Sequence, residues 1–260
     1  MNDPPAQAKE RVRTGGRRIS GLTILAVLFS YIWISVAHVW EPGANPPRRQ
    51  PYNLQTDGFR AGQLNMVKPV PPGLSELSDP YDPNANAAFR APQEDGSRLH
   101  DLSYYNGKLY LYFGVTPILV LFGPWLLITG GHFPQELAVL VFCSIGFLAG
   151  AWLYCQVARR FFPEARDSMV AAGLLAIGFA GGVPPLLLHP EIYEVPISCG
   201  FAYAMLALAM VWKALAAEKR PACWLMLGSL CYGLAVAARP SLLFGSAMLL
   251  APAIAHGHNR

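Results

Sequence analysis

The chain alternates long apolar runs with one long polar interval, and the borders between them carry most of the information. Apolar stretches occupy 19–40, 109–130, 134–158, 168–188, 192–215, 222–238 and 241–255, whereas 41–103 is polar. A run of about 20 apolar residues, at ~1.5 Å per residue, matches the roughly 30 Å hydrocarbon core of a bilayer. The pattern therefore predicts an all-α polytopic membrane protein with about six transmembrane helices. The first, 19–40, closes with Tyr31, Trp33 and Trp40, where interfacial aromatics belong. The second is 134–158. The third, 168–188, is loosened near its end by Gly178, Gly181, Gly182 and the Pro184-Pro185 pair. The fourth and fifth are 192–215 and 222–238, and Arg239-Pro240 then separates a shorter sixth element, 241–255. A cleavable signal peptide competes for the first segment, since Ser35-Val36-Ala37 is cleavage-like and Arg17-Arg18 resembles a twin-arginine signal. The length of that segment and the spans behind it favour an anchor.

Residues 109–130 are different, although hydropathy alone would mark them as a span. Asn106-Gly107 is the strongest two-residue hairpin signal, because both central residues of that turn need positive φ. Its flanks, 102–105 and 108–112, are short and aromatic-rich, which predicts a β-hairpin over 101–112. Thr116-Pro117 reads as an N-cap followed by proline at the first helical position. A helix over 117–129 rises only about 20 Å, too short to cross alone, and it carries Pro124. It is expected to lie in, or dip into, one face of the membrane as a juxtamembrane or re-entrant helix. The interval before it holds ten prolines between Pro42 and Pro92, which excludes long helices except near 55–64.

Charge then sets the expected topology. Residues 1–18 carry Lys9, Arg11, Arg13, Arg17 and Arg18 and read as a disordered basic tail. If 109–130 crossed, Arg159, Arg160 and Arg166 would face away from that tail. If it does not cross, the tail, those arginines and the cluster Lys213, Lys219 and Arg220 all share the cytoplasmic side, as the positive-inside bias requires. The second arrangement puts the 41–133 loop, the turn 189–194 and Arg239 together on the external face of a bacterial inner membrane. The net charge of +4 adds little to this. All five cysteines lie in apolar stretches, so no disulfide framework is expected. No Cys/His spacing of a zinc site occurs, so no cofactor is indicated, while a divalent metal stays open. Nothing in the pattern points to nucleic acid.

The polar features on the expected external face are Asp57, Asp101 and Lys108 in the loop, Glu191 and Glu194 in the short turn, and Arg239. A carboxylate near basic groups at a membrane surface suits one chemistry. The carboxylate deprotonates an acceptor hydroxyl while Lys and Arg hold a departing lipid-linked phosphate, for which the arginine fork is suited. Each residue also has a plainer explanation. Asp57 could be a solvated acid or a helix cap, Asp101 could close the hairpin base, and Lys108 could be solvated. Glu191 and Glu194 could favour a helix N-terminus, and Arg239 could snorkel. The tyrosines 104, 105, 110 and 112 read as interfacial anchors before a sugar platform. His38 and His189 are too isolated to assign. A transporter is disfavoured, because spans two to five have no ionisable residue at their centres.

Four segments carry a resemblance to a known class. Tyr52-Asn-Leu-Gln-Thr-Asp-Gly-Phe-Arg-Ala-Gly-Gln-Leu is similar to the amphipathic first-loop helix of GT-C membrane glycosyltransferases, and more narrowly of the bacterial relatives of protein O-mannosyltransferases and lipid A aminoarabinose transferases. Gly107-Lys-Leu-Tyr-Leu-Tyr-Phe-Gly-Val-Thr-Pro-Ile-Leu-Val-Leu-Phe-Gly-Pro resembles the juxtamembrane segment of that class. His189-Pro-Glu191 and Gly233-Leu-Ala-Val-Ala-Ala-Arg-Pro-Ser resemble its acidic turn after the third span and its Gly-Leu-Ala…Lys/Arg-Pro stretch. The resemblance implies an inverting transferase with a polyprenyl-phosphate sugar donor and an external site. It further implies Asp57 as the first-loop acid, Lys108 and Arg239 as lipid-phosphate ligands, and Glu191 as a second acid. The chain departs from the class in two ways. Glu41 stands alone where many members carry an Asp-Glu or Asp-x-Asp pair, and the sequence stops after the sixth element, where members usually continue. An inactive N-terminal fragment, or a non-catalytic lipid-phosphate-binding or assembly subunit, is the alternative expectation.

Overall fold

The computed structural model describes residues 6–39, 46–90, 99, 101–217 and 220–257. The chain is an all-α polytopic membrane protein whose β structure, among the described residues, is one two-stranded hairpin. It divides into two compact units, a helical one (Met1–Pro42 with Glu136–Arg260) and a loop unit (Gly43–Gln135).

The helical unit opens with α1 (Ala6–Val39). The expected disordered tail is therefore helical from Ala6 onward, while residues 1–5 lie outside the described part. Ala6-Gln-Ala-Lys-Glu-Arg are strong helix formers, so the basic segment propagates into the apolar one. Trp40, Glu41 and Lys219 also lie outside the described residues.

The loop unit contains α2 (Pro51–Arg60), β1 (Ser103–Tyr105), β2 (Lys108–Tyr110), a π-helical stretch Ile118–Phe122 and α3 (Gly123–Thr129). Then come α4 (Gln135–Phe161), α5 (Asp167–Ala180), α6 (Val183–Leu188), α7 (Glu194–Ala216) and α8 (Pro221–Ala238). A 3-10 stretch, Pro240–Leu249, leads to α9 (Leu250–Gly257).

Among the described residues, four segments are long and apolar enough to cross a membrane: Arg18–Val36 within α1, α4, α7 and α8. The expected third span is broken. Gly182 takes φ 80°, a left-handed conformation that favours glycine, and Pro184-Pro185 then start α6 where missing N–H groups cost nothing. The expected sixth element is likewise divided into the 3-10 stretch and α9.

Tyr31 shows how the bundle is tied together. It is fully buried, its ring meets Phe147 of α4 and Phe179 of α5 edge to face, and its hydroxyl donates to the Gly178 carbonyl at 2.6 Å. That carbonyl lies in the last turn of α5, where the helix supplies no partner. A Cβ at Gly178 would come within 2.7 Å of Val27, one turn before Tyr31, so glycine sets the approach of α1 to α5. Gly146 of α4 accommodates the Phe201 ring of α7 in the same way. α7 and α8 make the most extensive helix–helix contact among the described residues.

In the loop unit the hairpin has the expected register, pairing Ser103 with Tyr110 and Tyr105 with Lys108. Asn106 and Gly107 take φ 48° and 71°. The hairpin covers a small core of Leu74, Leu99 and Leu109, with Phe89, Leu102 and Tyr104 packed on it. The helix after it starts one residue earlier than the Thr116 cap predicts, because Ile118 and Leu119 both donate to the Val115 carbonyl. Gly123 N–H reaches back five residues to the Ile118 carbonyl. This widened turn lies just before Pro124, whose ring would otherwise crowd a carbonyl of the preceding turn.

Candidate functional site

The loop unit is organised by α2, which ends at Arg60 and so starts and stops about four residues before the expected 55–64. Gln50 caps its start, and Asn53 and Asp57 follow at the three- and four-residue intervals that share one helix face. Each of the three holds the chain that follows α3. Gln50 Oε1 accepts from the Gln135 N–H at 2.8 Å. The buried Asn53 Nδ2 donates to the Phe133 carbonyl at 2.8 Å and to the Pro47 carbonyl at 2.9 Å. Asp57 Oδ2 meets His132 Nε2 at 2.9 Å, both side chains about three-quarters or more covered, at 25% and 20% exposure.

The opposite side of α2 is used as fully. Gln55 donates to the Leu64 carbonyl at 2.7 Å and faces the Leu111 N–H with its oxygen. Tyr52 is completely buried and stacks on Phe122 at 5.4 Å and 20°. Gly58 is where 63–65 folds back, and a Cβ there would overlap the Asn65 carbonyl. Asp57 thus sits on a short helix fixed on all sides, with one carboxylate oxygen engaged by an imidazole. That arrangement can position a base or hold an incoming hydroxyl.

Asp101 occupies a second place in the same unit. It adopts φ 54° and lines a cavity of about 590 Å3 with Tyr81, Asn86, Arg90, Tyr104 and Tyr112. Arg90 Nε donates to Asn86 Oδ1 at 2.9 Å, and the buried Asn86 amide donates to the Pro80 carbonyl at 3.0 Å. The Tyr81 and Tyr104 rings lie 6.0 Å apart. Volumes of roughly 300–1,000 Å3 are usual for small-molecule sites. Lys108 begins β2 and is exposed, and it makes no ion pair among the described residues.

The other three expected residues belong to the helical unit. Glu191 is exposed in the turn before α7, its N–H bonded to the His189 carbonyl at 2.8 Å. Glu194 is the first residue of α7 and half-buried, and its Oε2 has no hydrogen-bond partner. Arg239 ends α8 in extended backbone, with its aliphatic stem beside Gly200 of α7. No ion pair joins it to Glu191 or Glu194 among the described residues.

His132 is the functional candidate that sequence reading misses. It lies 75 residues from Asp57, and no local pattern signals the contact. The Gln50–Asn53–Asp57 stripe was the available clue, since a polar face on a proline-started helix has to be satisfied by something.

Among the described residues, no cluster of three or more His, Cys, Asp or Glu could hold a metal ion. Comparison of the chain with protein-family models, with curated proteins and with solved structures finds no match.

Proposed function

We propose that the protein is a membrane glycosyltransferase that moves a sugar from a polyprenyl-phosphate donor to an acceptor hydroxyl at the external face of a bacterial inner membrane. The observation that carries this reading is the Asp57–His132 contact on a helix whose polar face is otherwise spent on structure. Asp57 takes the proton of the acceptor hydroxyl as the new glycosidic bond forms at the anomeric carbon. The bond from that carbon to the phosphate oxygen breaks, and the polyprenyl phosphate leaves with the electron pair. His132 orients the carboxylate through Oδ2, which keeps the other oxygen for the acceptor. Within the loop unit, Lys108 is the candidate ligand for the leaving phosphate. The tyrosine-walled cavity beside Asp101 is the candidate place for a sugar ring, because aromatic faces and fixed polar groups suit its alternating C–H and O–H surface.

The test is turnover of a polyprenyl-phosphate-linked sugar by the full chain in liposomes. Asp57→Asn is expected to lower kcat by about 10²–10⁴-fold, the usual worth of a general base. His132→Ala is expected to lower kcat less and to change the pH profile, while His132→Gln, which can still donate to the carboxylate, recovers part of the loss. Full activity of Asp57→Asn would remove the base assignment. Binding of the donor lipid without turnover would instead identify a non-catalytic lipid-phosphate-binding or assembly subunit.

A further inference from the structure

One end of the helical bundle gathers aromatic rings and cations from three helices. The Arg160 guanidinium lies 5.8 Å from the Trp212 ring centroid and 5.9 Å from that of Phe161. Those two rings meet edge to face at 6.1 Å. Lys213 Nζ lies 4.2 Å from the Trp224 ring and 5.3 Å from that of Trp152. These distances are within the ~6 Å reach of cation–π attraction. Arg160 and Phe161 lie in the last turn of α4, Trp212 and Lys213 near the end of α7, and Trp224 in the first turn of α8, with Trp152 about two turns deeper in α4. All three helices are candidate spans, so the cations sit at one membrane–water boundary.

Tryptophan at the ends of spans is an interfacial residue. Here the rings do more than mark depth, because they hold the cations in place. A guanidinium lying over a ring is used through its face, while its N–H donors radiate from its edge. Arg160 is exposed, and neither it nor Lys213 pairs with an acid among the described residues. Arg159 and Arg220, both exposed, add charge at the same helix ends. The exposed Glu164, on the connection between α4 and α5, and the half-buried Asp167, which opens α5, flank the cluster in sequence.

We propose that this cluster binds the phosphate of an anionic phospholipid in the adjoining leaflet, with Arg160 and Lys213 as the phosphate ligands and Trp152, Trp212 and Trp224 packing on the glycerol and upper acyl chain. Phosphate is the shared chemistry of a lipid headgroup and the free ion. The apolar rings commit the site to the lipid, since the free ion has nothing to place against them. The inference is independent of the transferase reading.

The experiment measures lipid retained by the full chain, purified from membranes and re-embedded in nanodiscs of phosphatidylcholine with or without phosphatidylglycerol. Native mass spectrometry counts the retained lipid and thermal unfolding checks the fold. Phosphatidylglycerol is expected to be retained preferentially over phosphatidylcholine. Arg160→Gln is expected to weaken that preference about fivefold, and the double variant with Lys213→Gln about twentyfold, as near-surface basic charges contribute. Arg160→Lys is expected to keep most of it. If Lys213→Gln does not fold, the exposed Arg160 decides alone. Equal retention of the two lipids overturns the proposal, as does an undiminished preference in Arg160→Gln. Displacement of the lipid by an equal concentration of inorganic phosphate overturns the assignment to lipid.

Discussion

Two single residues test how tightly each unit is built. At Gly58 the helical backbone is ordinary, but the chain returning through Asn65 leaves no room for a methyl group. Gly58→Ala is expected to cost about 1–3 kcal/mol, the usual penalty of overpacking, despite alanine's higher helix propensity. Thermal unfolding of the purified protein, read by proteolysis at the 61–66 turn, would show it as early cleavage. At Tyr31 the argument concerns one oxygen. Tyr31→Phe keeps the buried ring contacts and removes the bond to the Gly178 carbonyl. The orphaned acceptor then stays in an apolar bundle, at an expected cost of about 1–3 kcal/mol. A melting temperature equal to that of the unaltered protein would show that water already serves this carbonyl.

Elements differ in how openly the sequence announces them. The hairpin was legible because Asn-Gly supplies two adjacent residues that tolerate positive φ, and the structure uses both. The long helices were legible from length and apolarity alone. The break between α5 and α6 was only half legible. Its glycines and prolines were visible, but their combination as a stop and restart depends on Gly182 adopting the left-handed region. The clamp around Asp57 was legible on one side only, because His132, Phe133 and Gln135 reach α2 from far along the chain. The same clamp makes an element-scale prediction. Phe122, on the π-helical stretch, is completely buried between Tyr52 of α2 and Phe133. Phe122→Ala is expected to cost about 3–5 kcal/mol and to loosen α2 from its neighbours. Hydrogen exchange should then show the amides of α2 losing protection while those of α7 and α8 keep theirs. Loss of protection throughout the bundle would instead mean that the loop unit and the helices unfold together.

At the scale of the whole molecule, the question is which segments cross. The π-helical stretch and α3 together cover Ile118–Thr129, about 18 Å of helix at ~1.5 Å per residue, against a hydrocarbon core of roughly 30 Å. A single such helix cannot carry its polar ends across without burying one of them, so it is expected to remain on the side where the hairpin lies. The loop before it then shares that side, and the end of α4 lies on the other. That assignment is also expected to put Arg159, Arg160 and Arg166 on the side of the basic start of α1, in keeping with the charge bias of short connections. Ser78 and Ser168 are both exposed, one in the loop unit and one at the start of α5, so each can report its side without disturbing a contact. With the exposed Cys223 first replaced by serine, Ser78→Cys is expected to react with a membrane-impermeant maleimide added outside intact cells. Ser168→Cys is expected to react only after the membrane is opened. Labelling of both positions from outside would make Ile118–Thr129 a crossing element after all, and would put the end of α4 on the external side, against the charge bias of short connections.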